Sequence, residues 1–272
     1  MRSTFATVFT ILVTLSVCAA SPFTKRAATL PPLNGKFDYQ IGGPYTPAAD
    51  VAVVTRDNSA SPVSEKYNIC YINAFQTQPD AASFWQSSAN AGLLLHKSDG
   101  SLFEDEDWPG EYFLDTRTES NRQAIATILN GWIDTCHSKG FDAIEPDNLD
   151  TFTRSTNLLT AADNLALAKL FTDHAHSLGL AVAQKNTGSE LGASGKSTAG
   201  FDFAVAEECQ QFKECDSYTN VYGNNMLEIE YTDNGIAAWN AACTARGSII
   251  SVIYRDRDVV PSGSKAYQYQ EC

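Results

Sequence analysis

Nine short apolar runs in this chain turn polar at their C-terminal ends, and amphipathic stretches lie between several of them. The runs are FDYQIGG (37–43), VAVVTRD (51–57), NICYINAF (68–75), EYFLDT (111–116), FDAIEPD (141–147), GLAVAQKN (179–186), FDFAVAEEC (201–209), MLEIEY (226–231) and SIISVIY (248–254). The clearest helical stretch follows Thr118: Ile125, Ile128, Leu129, Trp132, Ile133 and Cys136 recur at spacings of three and four, and Gly140 stops it. Another covers about 160–178, with Leu167, Leu170, Phe171 and Leu178 on its apolar side. Strands that alternate with helices predict a parallel α/β sheet. Eight or nine such units point to a closed (β/α)8 barrel of the TIM type over an open doubly wound sheet. A barrel needs eight strands, so one of the nine runs is either extra or not a strand.

The strand ends deliver Asp38, Tyr39 and Gln40; Arg56 and Asp57; Asn73; Asp115; Asp147 and Asn148; Gln184, Lys185 and Asn186; Glu207; Tyr231; and Tyr254 and Arg255. In a barrel these ends gather at one rim, where active sites of the fold lie. The stretch FDAIEPDNLD adds Asp142, Glu145, Asp147 and Asp150 within ten positions. Burying unpaired carboxylates costs several kcal/mol each, so such a strand ends where solvent, substrate or a metal begins. Asp142 sits at the start of that strand and is expected to serve the opposite end of the barrel.

Residues 1–20 combine Arg2, an uncharged apolar stretch from Phe5 and the small pair Ala19–Ala20, the pattern of a secretory signal peptide. The dibasic pair Lys25–Arg26 marks a candidate propeptide cut, which makes 21–26 a propeptide and 27–272 a single barrel domain of 246 residues. No later stretch approaches eighteen continuous apolar residues, so the mature chain is expected outside the cell or in its wall, with no membrane partner. Removing the three positive charges of residues 1–26 takes the net charge from −13 to −16. That excess disfavours nucleic acid and favours a cationic partner. Six cysteines follow Cys18, an even number that implies disulfides in an exported chain. Fifteen connectivities are possible; closeness favours Cys209 with Cys215, and Cys272 would tie the terminus down, with Cys243 one candidate partner, an arrangement that would leave Cys70 with Cys136. No C-x-x-C pair occurs, so no zinc site is expected. No N-x-S/T sequon is present, no cofactor motif is found, and a monomer is expected.

Serine and cysteine nucleophile schemes lack support: no G-x-S-x-G occurs, and His96, His137, His174 and His176 fall on or near helices. GSELGASGKST lacks the first glycine of a phosphate loop, since Glu190 stands there, and reads as a flexible loop. No H-E-x-x-H occurs, and the 142–150 acids lack the alternate spacing and central glycine of the common calcium loop. Two acids at strand ends remain, Asp147 in EPDN and Glu207 in AVAEEC. Opposed carboxylates are the equipment of glycoside hydrolysis. The D-G-x-D-x-D-x-E pattern of chitinase-like barrels, laid on the chain from Asp142, puts Leu149 where its glutamate belongs, so that reading loses its proton donor.

FDYQIGG, CYINAFQTQPD, WPGEYFLDTR, GFDAIEPDNLD, QKN and FDFAVAEEC occur in the order seen in glycoside hydrolase family 114, and the chain resembles that family from about residue 34 to its end. These are secreted endo-α-1,4-polygalactosaminidases, also called spherulin 4-like proteins. The resemblance implies a modified (β/α)8 barrel that cuts α-1,4-linked galactosamine-containing polymers such as galactosaminogalactan. It also implies Asp147 and Glu207 as the catalytic pair, nucleophile and acid/base of a retaining reaction. Alternation along Phe203, Val205 and Glu207 puts Glu207 and not Glu208 on the cleft face. By position Asp38, Tyr39, Gln40, Asn73, Trp108, Glu111, Asp115, Lys185 and Asn186 are implied wall or subsite residues, and the strand ends add Asn148, Tyr231 and Tyr254. Galactosamine units are ammonium ions, so the expected partner is a cationic amino sugar polysaccharide. Asp38, Asp57, Glu111, Asp115, Glu145 and Asp147 would complement its charge, while Tyr39, Trp108, Tyr231 and Tyr254 would stack on its rings.

Overall fold

Eight strands run parallel, each beside the next in sequence, in a computed structural model that describes residues 28–272. The signal peptide and dibasic site read at 1–26 lie outside the described residues. The strands are β1 Phe37–Gln40, β2 Val53–Asp57, β3 Tyr67–Asn73, β4 Ala143–Asp147, β5 Ala181–Lys185, β6 Phe203–Glu207, β7 Met226–Tyr231 and β8 Ser251–Arg255. A ninth, β9 Tyr269–Glu271, pairs antiparallel with β8. It fills the seam towards β1: Tyr269 donates to the Phe37 carbonyl at 2.8 Å, and Glu271 forms an ion pair with Lys36. The fold is therefore a TIM-type barrel nearly closed, with an antiparallel strand at its seam.

Alternation along the strands sorts side chains into two layers. Phe37, Tyr39, Val53, Ile69, Ala143, Ala181, Ala183, Phe203, Val205, Leu227, Ile229 and Ile253 fill the barrel, with alanines on β4 and β5 offsetting the large rings of β1 and β6. The opposite parity, including Cys70, Ile72, Ile144, Val182, Ala204 and Val252, packs against the surrounding helices. Each fully buried large side chain contributes roughly 1.5–3 kcal/mol.

The helix after Thr118 spans Glu119–Lys139, because the Thr118 hydroxyl accepts the Asn121 amide at 3.1 Å and Gly140 leaves it at φ 95°. The second spans Ala161–Leu178, opened by a reciprocal Thr160–Asp163 capping box and closed by Gly179 at φ 80°. Disulfides join Cys70 to Cys136, Cys209 to Cys215 and Cys243 to Cys272. The first ties β3 to the helix behind it. Among the described residues no helix is long and apolar enough to cross a membrane.

Two sequence expectations fail. EYFLDT is not a barrel strand: Tyr112, Phe113 and Leu114 make isolated antiparallel bridges to Glu104, Gln76 and Leu94 in an excursion between β3 and the following helix. Its apolar parity is satisfied in a small satellite core of Leu95, Phe103, Phe113 and Leu159. GSELGASGKST is not a flexible loop either, since Gly188–Leu191 and Gly195–Ala199 form helical turns. Its glycines allow close packing, as a Cβ on Gly188 would meet the Tyr218 ring at 2.6 Å and one on Gly195 would meet Gln184 at 1.9 Å.

Candidate active site

Three neighbouring strands end alike. β4, β5 and β6 each place a charged side chain inward at their last position, Asp147, Lys185 and Glu207, and the next residue turns into the left-handed region: Asn148 at φ 64°, Asn186 at φ 52° and Glu208 at φ 60°. Asparagine tolerates that conformation readily, and a glutamate there carries a modest strain. The sharp turns lead the chain away from the axis and leave the three charges facing one another.

Lys185 is 1% exposed, and its Nζ lies 3.3 Å from Asp147 Oδ1, 3.3 Å from Glu207 Oε2 and 3.2 Å from Glu145 Oε1. Tyr39 OH is 3.1 Å away. Burial alone would lower the lysine, but the Asp147 and Glu207 carboxylates hold its pKa well above the ordinary value, so it stays an ammonium. Asp147 accepts from Tyr71 OH at 2.6 Å and from the Asn148 amide at 2.8 Å. Burial pushes its carboxyl up, yet the Lys185 charge, the Tyr71 hydroxyl and the Asn148 amide outweigh burial and hold it below the usual carboxylate range. Glu207 accepts from Asn186 Nδ2 at 2.9 Å and from the Tyr231 hydroxyl, while its own amide donates to Asn186 Oδ1 at 2.9 Å. Burial raises Tyr71 and Tyr231 well above the ordinary phenol value, so both remain donors.

A cavity of about 450 Å³ opens over this pair. Asp147, Glu207, Asn148, Asn186, Tyr231, Trp108 and Glu111 line it, joined by Tyr71, Gln78, Asp107, Asp150, Arg154, Arg257 and Asp258. A second cavity of about 410 Å³ shares Ile41, Gly42, Tyr71, Gln78 and Glu111 with the first and adds Gln40, Asp57, Asn73 and Asp80. The two therefore form one groove with Asp147 and Glu207 along its course. The excursion after β3 supplies the far wall, with Trp108 51% exposed and Glu111 held by Gln76 and Asn73 at 2.8 and 3.2 Å. Burial raises the Glu111 carboxyl.

Glu208 faces away from the pair. Arg257 grips it through two bonds of 2.7 and 2.8 Å and lies 4.2 Å over the Tyr231 ring. Lys185 and Tyr39 lie beneath the groove and do not reach its surface. Asp38, Asp115 and Tyr254, expected at the rim, line neither cavity. Asp38 accepts from Gln40 and Tyr45 on the outer parity of β1, at 2.8 and 2.5 Å. Asp115 is engaged by Arg117 at 2.7 and 2.8 Å. Tyr254 points out of the barrel and stacks on Trp239, ring centroids 5.6 Å apart. Glu145 is fully buried below the groove and not in it. Asp142 accepts the Asn68 amide at 2.9 Å at the opposite end.

Tyr71, Arg154 and Arg257 were not picked out from the sequence. For Tyr71 the signal existed, since Ile69, Tyr71 and Asn73 share the inward parity of β3. Among the described residues the one close group of metal-ligand types is Cys209, Cys215 and Glu228, and the disulfide consumes both thiols.

The family model described as glycoside-hydrolase family GH114 matches residues 19–272. No curated protein matches the chain. Among solved structures, Ega3 of Aspergillus fumigatus in complex with galactosamine is similar, with a TM-score of 0.69 and 23% identity over 92% of this chain and 100% of that one. The glycoside hydrolase domain of PelA from Pseudomonas aeruginosa follows with a TM-score of 0.55 and 13% identity, over 84% of this chain and 96% of that one.

Proposed function

Because the chain belongs to glycoside-hydrolase family GH114, we propose that it is a secreted endo-acting hydrolase of α-1,4-galactosaminidic bonds in galactosamine-containing polysaccharide, with Asp147 and Glu207 as its catalytic pair. The observation that carries this reading is the common distance of 3.3 Å from Lys185 Nζ to Asp147 Oδ1 and Glu207 Oε2. The two oxygens can be no farther apart than twice that distance. Retaining enzymes place their carboxyl groups about 5–5.5 Å apart and inverting ones about 6.5–9.5 Å, so a bound of about 6.6 Å on these two oxygens accommodates retention and reaches only the short edge of the inverting range. Asp147, kept anionic by Lys185, Tyr71 and Asn148, attacks the anomeric carbon. Glu207 protonates the departing oxygen and then takes a proton from the water that releases the sugar.

The groove supports an endo mode, because it continues past the pair into the second cavity. Its acids support a cationic chain: Asp57, Asp80, Asp107, Glu111 and Asp258 line the groove and enter no salt bridge among the described residues. The galactosamine bound by Ega3 agrees in chemistry with this reading. Trp108 offers a ring face, and Glu111, Asn148 and Asn186 offer polar contacts to sugar, while the Tyr231 ring is already covered by Arg257. Residues 1–20 would direct export, with a cut after Arg26.

A panel of α- and β-linked polymers of galactosamine, N-acetylgalactosamine and glucosamine tests the substrate. Chain shortening confined to the α-linked galactosamine polymer is expected. Equal cleavage of a glucosamine polymer contradicts the specificity, and binding without cleavage of any polymer favours a wall protein on the same barrel.

A further inference from the structure

Glu145 sits two residues before Asp147, is fully buried, and has no task in the hydrolytic scheme. Its Oε1 accepts from Tyr39 OH at 2.7 Å and lies 3.2 Å from Lys185 Nζ, while its Oε2 is sealed from solvent without a partner. An ammonium has three hydrogens. Lys185 Nζ nevertheless lies within 3.3 Å of four oxygens, one each from Tyr39, Glu145, Asp147 and Glu207. It cannot serve all four at once, so whatever Glu145 draws from it the two cleft acids lose.

The groups that face Glu145 are Tyr39 from β1, Tyr71 from β3, Asp147 on its own strand, Lys185 from β5 and Glu207 from β6, with Tyr231 of β7 beyond Tyr39. Burial pushes its carboxyl up to about 7, against the pull of Lys185 and the Tyr39 hydroxyl. It is therefore neutral in acid and gains its charge near neutrality.

We propose that Glu145 is a buried positioning residue that divides the charge of Lys185 between itself and the two acids of the cleft, tuning catalysis without touching substrate. The proposal rests on the reading of Asp147 and Glu207 as the reacting pair. With Glu145 protonated, Lys185 belongs to the cleft acids alone. Once Glu145 ionises, its negative charge opposes the loss of further protons from the cluster. The working arrangement, one acid charged and one protonated, then persists to higher pH. Interaction between charges at this separation is large enough to move such a limb by about one pH unit.

The test is the pH profile of kcat and KM, from pH 4 to 9, on a defined α-1,4-galactosamine oligosaccharide, for the parent, Glu145→Gln and Asp147→Asn. Glu145→Gln is expected to follow the parent within about twofold below pH 6, where Glu145 is neutral anyway. Its alkaline limb is expected to fall about one pH unit earlier, giving about tenfold lower kcat above that point with KM unchanged. Curves of one shape at a constant offset, or curves that coincide throughout, overturn the proposal. Should Glu145→Gln lack a cooperative melt, Tyr39→Phe carries the test. It keeps the carboxyl and removes its donor, so its alkaline limb must also move down, and an unmoved limb overturns the proposal. Activity retained in Asp147→Asn overturns the catalytic pair and this proposal together, whereas an inactive Asp147→Asn beside an unshifted Glu145→Gln overturns the role of Glu145 alone.

Discussion

Tyr71 donates a 2.6 Å hydrogen bond to Oδ2 of Asp147, from an inward position on β3 one strand away. The bond fixes the carboxylate's rotamer and helps keep it charged. A hydrogen bond to a charged group is worth about 1.5–3 kcal/mol, so Tyr71→Phe is expected to lower kcat/KM by about 10- to 100-fold. Burial raises Asp147, and Lys185 and Tyr71 hold it down. Removing the hydroxyl therefore moves the acid limb of the pH profile upward, which titrating kcat/KM from pH 3 to 7 will check. An unmoved limb contradicts this role.

Glu230 lies on the outer parity of β7, 1% exposed, with Oε1 accepting the Gln210 amide at 2.9 Å and Oε2 unpartnered. Burial pushes its carboxyl up to about 7 from an ordinary 4.5. The folded protein then keeps this proton to higher pH than the unfolded chain does. Its contribution is intact below about 4.5 and is lost as pH rises through about 7. Glu230→Gln should accordingly stabilise the protein at pH 8 relative to pH 4, by up to roughly 3 kcal/mol. Urea melts of parent and variant at the two pH values measure this difference, and equal gains at both would refute the titration.

Cys70–Cys136 closes a separation of 66 residues and Cys209–Cys215 one of 6. On chain entropy the first contributes about 4 kcal/mol and the second about 2. Replacing Cys70 and Cys136 together with alanine should thus lower the melting midpoint more than the same change at Cys209 and Cys215. Cys209 lies two residues after Glu207, so loss of the short bridge is expected to affect kcat more than stability.

The unpaired acids along the groove make a salt prediction. KM for a galactosamine polymer should rise about tenfold between 50 and 500 mM NaCl, while an N-acetylated polymer shows little change. A salt-independent KM for the cationic polymer would remove charge from the explanation of specificity.

Much of this was visible in the sequence because barrel strands repeat one simple rule. Asp147 and Glu207 stand at inward ends of apolar runs, and the alternation that selects Glu207 over Glu208 is the alternation the barrel uses. The same rule, applied fully, would have excluded Tyr254 and found Tyr71: Ile253 packs inside, so Tyr254 must point out, while Ile69 and Tyr71 share the inner face. EYFLDT misled because an alternating run is satisfied equally by a satellite core outside the barrel. β9 has only three residues, and its partner is set by the seam it fills and by the Cys243–Cys272 bridge, neither of which leaves a local pattern. The burial of Lys185 escaped for a related reason, since a strand-end lysine looks the same whether it meets substrate or three carboxylates.

Asp147 and Glu207 are expected to cut a galactosamine polymer internally. Mass spectrometry of products from partially deacetylated galactosaminogalactan, incubated with the parent, Asp147→Asn and Glu207→Gln, measures both the cleavage and its dependence on the two acids. Oligosaccharides of mixed length from the parent, none from either variant, and retained polymer binding in both are the result expected. Oligosaccharides released equally by a variant, or intact polymer with the parent, would contradict it.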